Sequence, residues 1–193
     1  MIKKIQWTHK PVTIQNLGAI QRELLSLVPS VIPDVENLKP AFTDISVSKV
    51  KDNLPTLCDQ FNQWGILDRW QYMAFITGNR GSSVSMHVDT LEWEQLTLAL
   101  NIPVLNCDDS YTAFYNAQTL PVRKFRKNDP RYTARMCDES TAEEITRIQL
   151  NKPYWVNICV PHKPIMNHNN PRILASFRFG PELFDVIDNL VDS

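Results

Sequence analysis

His87-Val88-Asp89 sets two metal-competent side chains one residue apart, and His162 supplies a third much later in the chain. In an extended strand residues two apart share a face, so His87 and Asp89 project together while Val88 packs behind them. Two imidazoles and one carboxylate can take one triangular face of an octahedral first-row metal and leave three positions open, a ligand set suited to Fe(II) that activates oxygen. A His-x-Asp tripeptide alone is usually no more than a hydrogen-bonded pair. Its company gives it weight: His162 follows the apolar run Val156 to Val160, and Arg172 stands ten residues further on at the head of another apolar run. The sequence therefore points to a metal centre held by His87, Asp89 and His162, with no catalytic side chain expected beyond the ligands.

Those residues need strands to carry them. Ile14, Leu17, Ile20, Leu24, Leu27 and Val28 fall on one helical face after a Thr13 cap, and Pro29 ends the segment. Leu54, Leu57, Cys58, Phe61 and Trp64 repeat the helical spacing, with Gly65 where a left-handed C-terminal residue belongs. Beyond Asp68 the pattern changes to short aromatic and β-branched runs at 70–77, 84–90, 96–105, 110–117, 145–150, 154–160 and 172–179. Turn signals separate them at Gly78-Asn79, Asn106 to Asp109, Asn151 to Pro153 and Asn167 to Pro171. A closing helix is expected over about 181–191, with Pro181 in its first turn. The expected fold is mainly β with flanking helices, a double-sheet jelly roll with helices against one sheet. A single domain over 1–193 is expected, with 1–68 as helical support, 69–180 as the β core and 181–193 as the C-terminal helix.

Composition sets limits on function. At 193 residues the chain can bury a core without disulfide staples. Its 43% apolar and 21% charged content is that of an ordinary folded domain rather than a disordered one. A net charge of −1 gives no general attraction to nucleic acid or acidic membranes. Met1 to Lys4 resembles the start of a signal peptide, but Ile5 to Lys10 supplies no apolar continuation, and no run approaches the roughly 20 apolar residues of a membrane span. A cytoplasmic protein is expected, without a membrane partner. Cys58, Cys107, Cys137 and Cys159 lack any paired spacing and read as free thiols.

The order His-x-Asp, gap, His, then Arg ten residues later resembles the 2-oxoglutarate/Fe(II)-dependent oxygenases. Gly81 to Asp89 is similar to the segment that enters their barrel, and Tyr154 to His162 with Pro171 to Phe179 is similar to its last two core strands. The likeness covers roughly residues 70–180. Ala99 to Cys107 with Ser110 to Tyr115 is also similar to the aspartyl/asparaginyl hydroxylase-like branch, some members of which lack the carboxylate ligand that Asp89 provides here. The resemblance implies a double-stranded β-helix of cupin type, Fe(II), 2-oxoglutarate as cosubstrate and O2. It further implies hydroxylation of an unactivated C–H bond with release of succinate and CO2. A free or peptidyl amino-acid side chain is the expected substrate, so the partner is a small molecule or a peptide.

The resemblance makes Arg172 the anchor of the distal carboxylate of 2-oxoglutarate, which a planar guanidinium can meet with two parallel hydrogen bonds. Many relatives carry Ser or Thr two residues after this Arg; here that position is Leu174, and Ser176 lies one step further on the same face. Asn101, in an otherwise apolar strand, is a second candidate donor to the cosubstrate, or a core amide bonded to its neighbours.

Other residues compete for these roles. His168 and Arg178 form a rival ten-residue pair, although His168 sits among the turn-forming Asn167, Asn169, Asn170 and Pro171. His9 reads as a surface or packing residue. Tyr111, Tyr115, Trp155 and Phe177 could line a cavity, but aromatic residues in strands are more often core. The segment 123–135 carries six cations against Asp129 alone, and reads as a solvated loop or as a lid for an acidic partner, nucleic acid included but not favoured. Two other functions fit less well: a cupin-like metalloprotein of different chemistry, for which Arg172 has no purpose, and a non-catalytic barrel serving as a binding module.

Overall fold

The computed structural model describes residues 7–35, 41–79, 84–90, 98–124, 133–167, 170–184, 186 and 187. Among these residues twelve strands, numbered in chain order, form two antiparallel sheets of six. One runs β1 (His9–Pro11), β10 (Tyr154–Asn157), β5 (Leu98–Leu105), β12 (Arg172–Phe179), β3 (Trp70–Gly78), β2 (Ala41–Ile45). The other runs β7 (Thr119–Lys124), β8 (Thr133–Cys137), β4 (His87–Thr90), β11 (His162–Met166), β6 (Ser110–Asn116), β9 (Glu143–Gln149). From β3 to β6, and again from β9 to β12, successive strands alternate between the sheets. Chain neighbours therefore face one another across the interior, which is the jelly-roll arrangement expected from the sequence.

Side-chain alternation divides the core into two. On β12 all eight residues are buried. Ile173, Ala175, Phe177 and Phe179 turn outward against α1 (Leu17–Leu27) and α3 (Pro55–Gln63), joining Ile20, Leu24, Leu57 and Phe61 in one apolar layer. Leu174 turns the other way and packs between the sheets with Ala99, Phe114, Ile148 and Val156. A strand covered on both faces reads as a continuous apolar run, so the polar Arg172, Ser176 and Arg178 are exceptions that must be explained by what they face.

Several boundaries differ from the sequence expectation. Helix α1 begins after Asn16, a left-handed N-cap, rather than after Thr13. A further helix, α2 (Val47–Asn53), fills the expected connector, with Ser46 accepting the Lys49 amide as its cap; a seven-residue helix is too short to show periodicity. Gly65 has the positive φ expected of it, 69°. The expected strand 154–160 ends at Asn157, and residues 158–161 carry the chain across to the second sheet. His162 therefore opens β11 instead of closing the preceding strand. Strands β1, β2, β7, β8 and β11 were not separable as sequence runs, being short or rich in Lys, Pro and Arg. Of the closing helix, Pro181–Leu183 forms a 3-10 turn followed by helical residues 184, 186 and 187; the remainder lies outside the described residues. Trp155 and Phe177 belong to the helix-side core and do not line the interior.

Candidate metal centre

Antiparallel pairing of β11 with β4 sets His162 directly opposite His87, with ring centroids 4.6 Å apart. Asp89 follows His87 on the same face, and its amide donates to the Ile158 carbonyl at 2.9 Å, tying β4 to the crossover that delivers His162. His87, Asp89 and His162 each offer a ligand atom, all within 4.8 Å of one another. The structure thus brings together the three residues that the sequence nominated. The rival His168 lies outside the described residues.

The imidazoles are oriented by the backbone. Nδ1 of His87 lies 2.8 Å from the Ser85 carbonyl, and Nδ1 of His162 lies 2.9 Å from the Val160 carbonyl. A carbonyl can only accept, so each contact requires Nδ1–H, and in the neutral ring it is then Nε2 that carries the lone pair a metal would take. His87 Nε2 stands 3.4 Å from Asp89 Oδ1. Burial pushes the His162 pKa down to about 4, with the neighbouring His87 adding to the fall. Burial acts on His87 in the same direction, but the hydrogen bond and charge of Asp89 outweigh it and its pKa is raised. Burial alone would raise the Asp89 pKa; the Arg178 guanidinium overrides it and holds the carboxyl far below the usual range.

Arg178, which the sequence offered only as the rival of Arg172, is the cation that reaches the candidate ligands. Its Nη1 lies 2.9 Å from Asp89 Oδ2, across the interior from the first sheet. The signal was present: Arg172, Leu174, Ser176 and Arg178 alternate onto one face of β12, so if one faces the interior, all do.

Arg172 is 1% exposed, and its Nε and Nη1 have no hydrogen-bond partner. Burial lowers its pKa, opposed by the adjacent Cys107, whose thiol donates to the Ile173 carbonyl at 3.2 Å. A buried guanidinium with idle donors is costly unless a ligand completes it. The donor set and this cation together fit a metal with an anionic chelator. Ser176 Oγ donates to Asn101 Oδ1 at 2.7 Å, so these two candidates form one buried polar pair. His9 packs at the interior edge, stacked on Phe114 at 5.6 Å and edge-on to Tyr154 at 5.8 Å; Phe114 in turn lies 6.4 Å from His162. Tyr115 packs with Met86, Val88 and Cys137 on the opposite side of the second sheet from the ligands. No helix among the described residues is long and apolar enough to cross a membrane.

No protein-family profile matches the chain, and no curated protein matches it in sequence. Among solved structures it is similar to HygX from Streptomyces hygroscopicus with nickel and 2-oxoglutarate bound, with a TM-score of 0.51 and 10% identity over 91% of this chain and 82% of HygX. The chain shares that fold. Iron-bound HygX gives a TM-score of 0.50 and 8% identity over 92% of this chain and 83% of HygX. The likeness to E. coli ycfD is weaker, with a TM-score of 0.42 and 12% identity over 72% of this chain, which spans only 32% of ycfD.

Proposed function

We propose that the protein is an Fe(II)- and 2-oxoglutarate-dependent dioxygenase that hydroxylates an amino-acid side chain, free or peptidyl, with release of succinate and CO2. The observation that carries this reading is the convergence of His87, Asp89 and His162 in a barrel whose interior also buries the Arg172 guanidinium, with Nε and Nη1 making no hydrogen bond. A cupin of other chemistry would need the three ligands but not that cation. HygX, which shares the fold, has been crystallised with 2-oxoglutarate and with iron.

Iron with 2-oxoglutarate and O2 would supply the oxidising chemistry, and the protein supplies orientation and charge control. His87 and His162 present Nε2, each fixed by its carbonyl contact, and Asp89 presents carboxylate oxygen beside them. Arg172 provides donors for the distal carboxylate of the cosubstrate, and the Asn101–Ser176 pair adds a polar surface on the same interior face. The amino-acid substrate rests on the resemblance of Ala99 to Cys107 and Ser110 to Tyr115 to the aspartyl/asparaginyl hydroxylase-like branch. Of the basic segment, Arg123 and Lys124 end β7 and Thr133 to Arg135 begin β8, whereas 125–132 lie outside the described residues. A lid role for that segment remains the route by which an acidic peptide or a nucleic-acid strand would be favoured over a free amino acid.

Anaerobic addition of Fe(II) and then 2-oxoglutarate tests the reading directly. A visible metal-to-ligand charge-transfer band is expected only when both are present. A protein that binds Fe(II) but gives no band and consumes no 2-oxoglutarate in air would be a cupin of other chemistry.

A further inference from the structure

We infer that Arg178 is a positioning residue of the metal centre: it captures one oxygen of Asp89 and leaves the other as the single oxygen offered to the metal. The inference rests on the metal site proposed above. The two oxygens of Asp89 have different neighbours. Oδ1 faces His87 Nε2 at 3.4 Å, on the side where the ligand atoms converge, whereas Oδ2 is in ion-pair contact with Arg178 Nη1 at 2.9 Å.

The contact is one of charge and distance, because Nε and Nη1 of Arg178 are buried without an aligned hydrogen bond. Arg178 is 4% exposed, and its guanidinium carbon lies 5.6 Å from the centroid of the Phe42 ring on the edge strand β2. It sits on the central strand β12, opposite Ala99 of β5 and Tyr72 of β3, and the pairing with β3 shifts register immediately after it, between Arg178 and Phe179. Such irregularities re-aim the side chains beside them. The cation that meets Asp89 thus comes from the sheet opposite the one that carries all three ligands.

The consequence is for the number of open positions. A carboxylate that ligates through both oxygens occupies two positions, so with two imidazoles only two of six would remain. A chelating 2-oxoacid would fill both. Holding Oδ2 on Arg178 keeps the third position free, which a reaction of metal, oxoacid and O2 requires. Arg178 and Arg172, on one face of one strand, then serve different partners: one shapes the metal's ligand, the other receives the oxoacid.

Co(II) substitution tests this without turnover. Wild-type protein loaded with Co(II) should show the weak visible bands of six-coordination, and its 2-oxoglutarate complex is titrated with azide, a small anion that can enter the one position left open and shift those bands. In Arg178→Met the freed carboxylate chelates: the Co(II) spectrum should change, Co(II) affinity should hold or rise, 2-oxoglutarate should still bind in the last two positions, and the response of that complex to azide should weaken at least tenfold. Arg178→Lys should recover part of the loss. Phe42→Ala, a milder change on an edge strand that withdraws the ring supporting the guanidinium, should move both readouts the same way by less, and serves if Arg178→Met does not fold. A bridge that merely joins the sheets would lower the melting temperature of either variant without altering the Co(II) spectrum, and that result overturns the inference. So does loss of Co(II) binding by a folded variant. Wild-type protein that takes up no Co(II) would remove the metal site and this role together, whereas normal uptake with unchanged variants removes this role alone.

Discussion

The two histidines are chemically unequal although they sit opposite each other. His162 is deeply buried with its pKa lowered to about 4, while His87, beside Asp89, has its pKa raised. In the metal-free protein, His162 stays neutral between pH 6.5 and about 4, where the same residue in the unfolded chain takes a proton, so stability rises with pH across that window. The full effect of a shift of this size is on the order of 3 kcal/mol. His87 acts with the opposite sign: its contribution is present below pH 6.5 and fades as pH rises through its raised folded value. Urea melts of metal-free wild type and His162→Asn at pH 4.5 and 6.5 should show a smaller loss on acidification in the variant; equal losses would mean that His162 is not held neutral. His162→Ala should abolish Fe(II) binding and the charge-transfer band, and His168→Ala should keep both. The reverse outcome would move the distal ligand to His168.

At the scale of the strand, β12 carries two guanidinia on its inner face and an apolar layer on its outer face. Arg172 has idle donors in a dry environment, which penalises the metal-free fold rather than supporting it. Arg172→Leu should therefore leave the unfolding free energy of the ligand-free protein unchanged or higher. Its affinity for 2-oxoglutarate should fall steeply, by on the order of 3–5 kcal/mol if the charge pair is fully buried. Chemical denaturation and calorimetry of one preparation read both effects. A stabilising structural Arg would lose stability on substitution and keep its oxoacid affinity. The crossover after β10 is equally specific. Buried Asn157 donates its side-chain amide to the Trp7 carbonyl at 3.2 Å and accepts the Cys159 amide at 3.1 Å, so the turn that starts β11 at His162 is pinned from both sides.

Across the whole molecule the centre exists only when both sheets close. The metal ligands belong to one sheet, and Arg172 and Arg178 to the other. Helices α1 and α3 stiffen the latter from outside, with Phe61 edge-on to Phe177 at 5.3 Å and to Phe179 at 6.0 Å. Phe61→Ala removes a fully buried ring between helix and sheet and should cost about 3–5 kcal/mol. Equilibrium denaturation would measure that loss. Metal affinity of the fraction still folded should be nearly unchanged, because the ring touches the face of β12 that turns away from the site.

What the sequence determined by itself was local. Strand periodicity sets His87 and Asp89 on one face whatever they face, and the apolar run after Arg172 puts that residue at the head of a buried strand. Turn chemistry separated the longer strands, and helical spacing found α1 and α3. Tertiary structure decided the rest. Short strands such as β1 and β11 have no periodicity of their own and exist because a neighbour supplies the ladder, which is why His162 was read as closing a strand when it opens one. The partner of Asp89 was equally beyond reach: Arg178 is 89 residues away, and which cation crosses the interior depends on how two sheets register against each other. Spacing along the chain counts residues, but an ion pair forms by distance in space, and only the closed barrel converts one into the other.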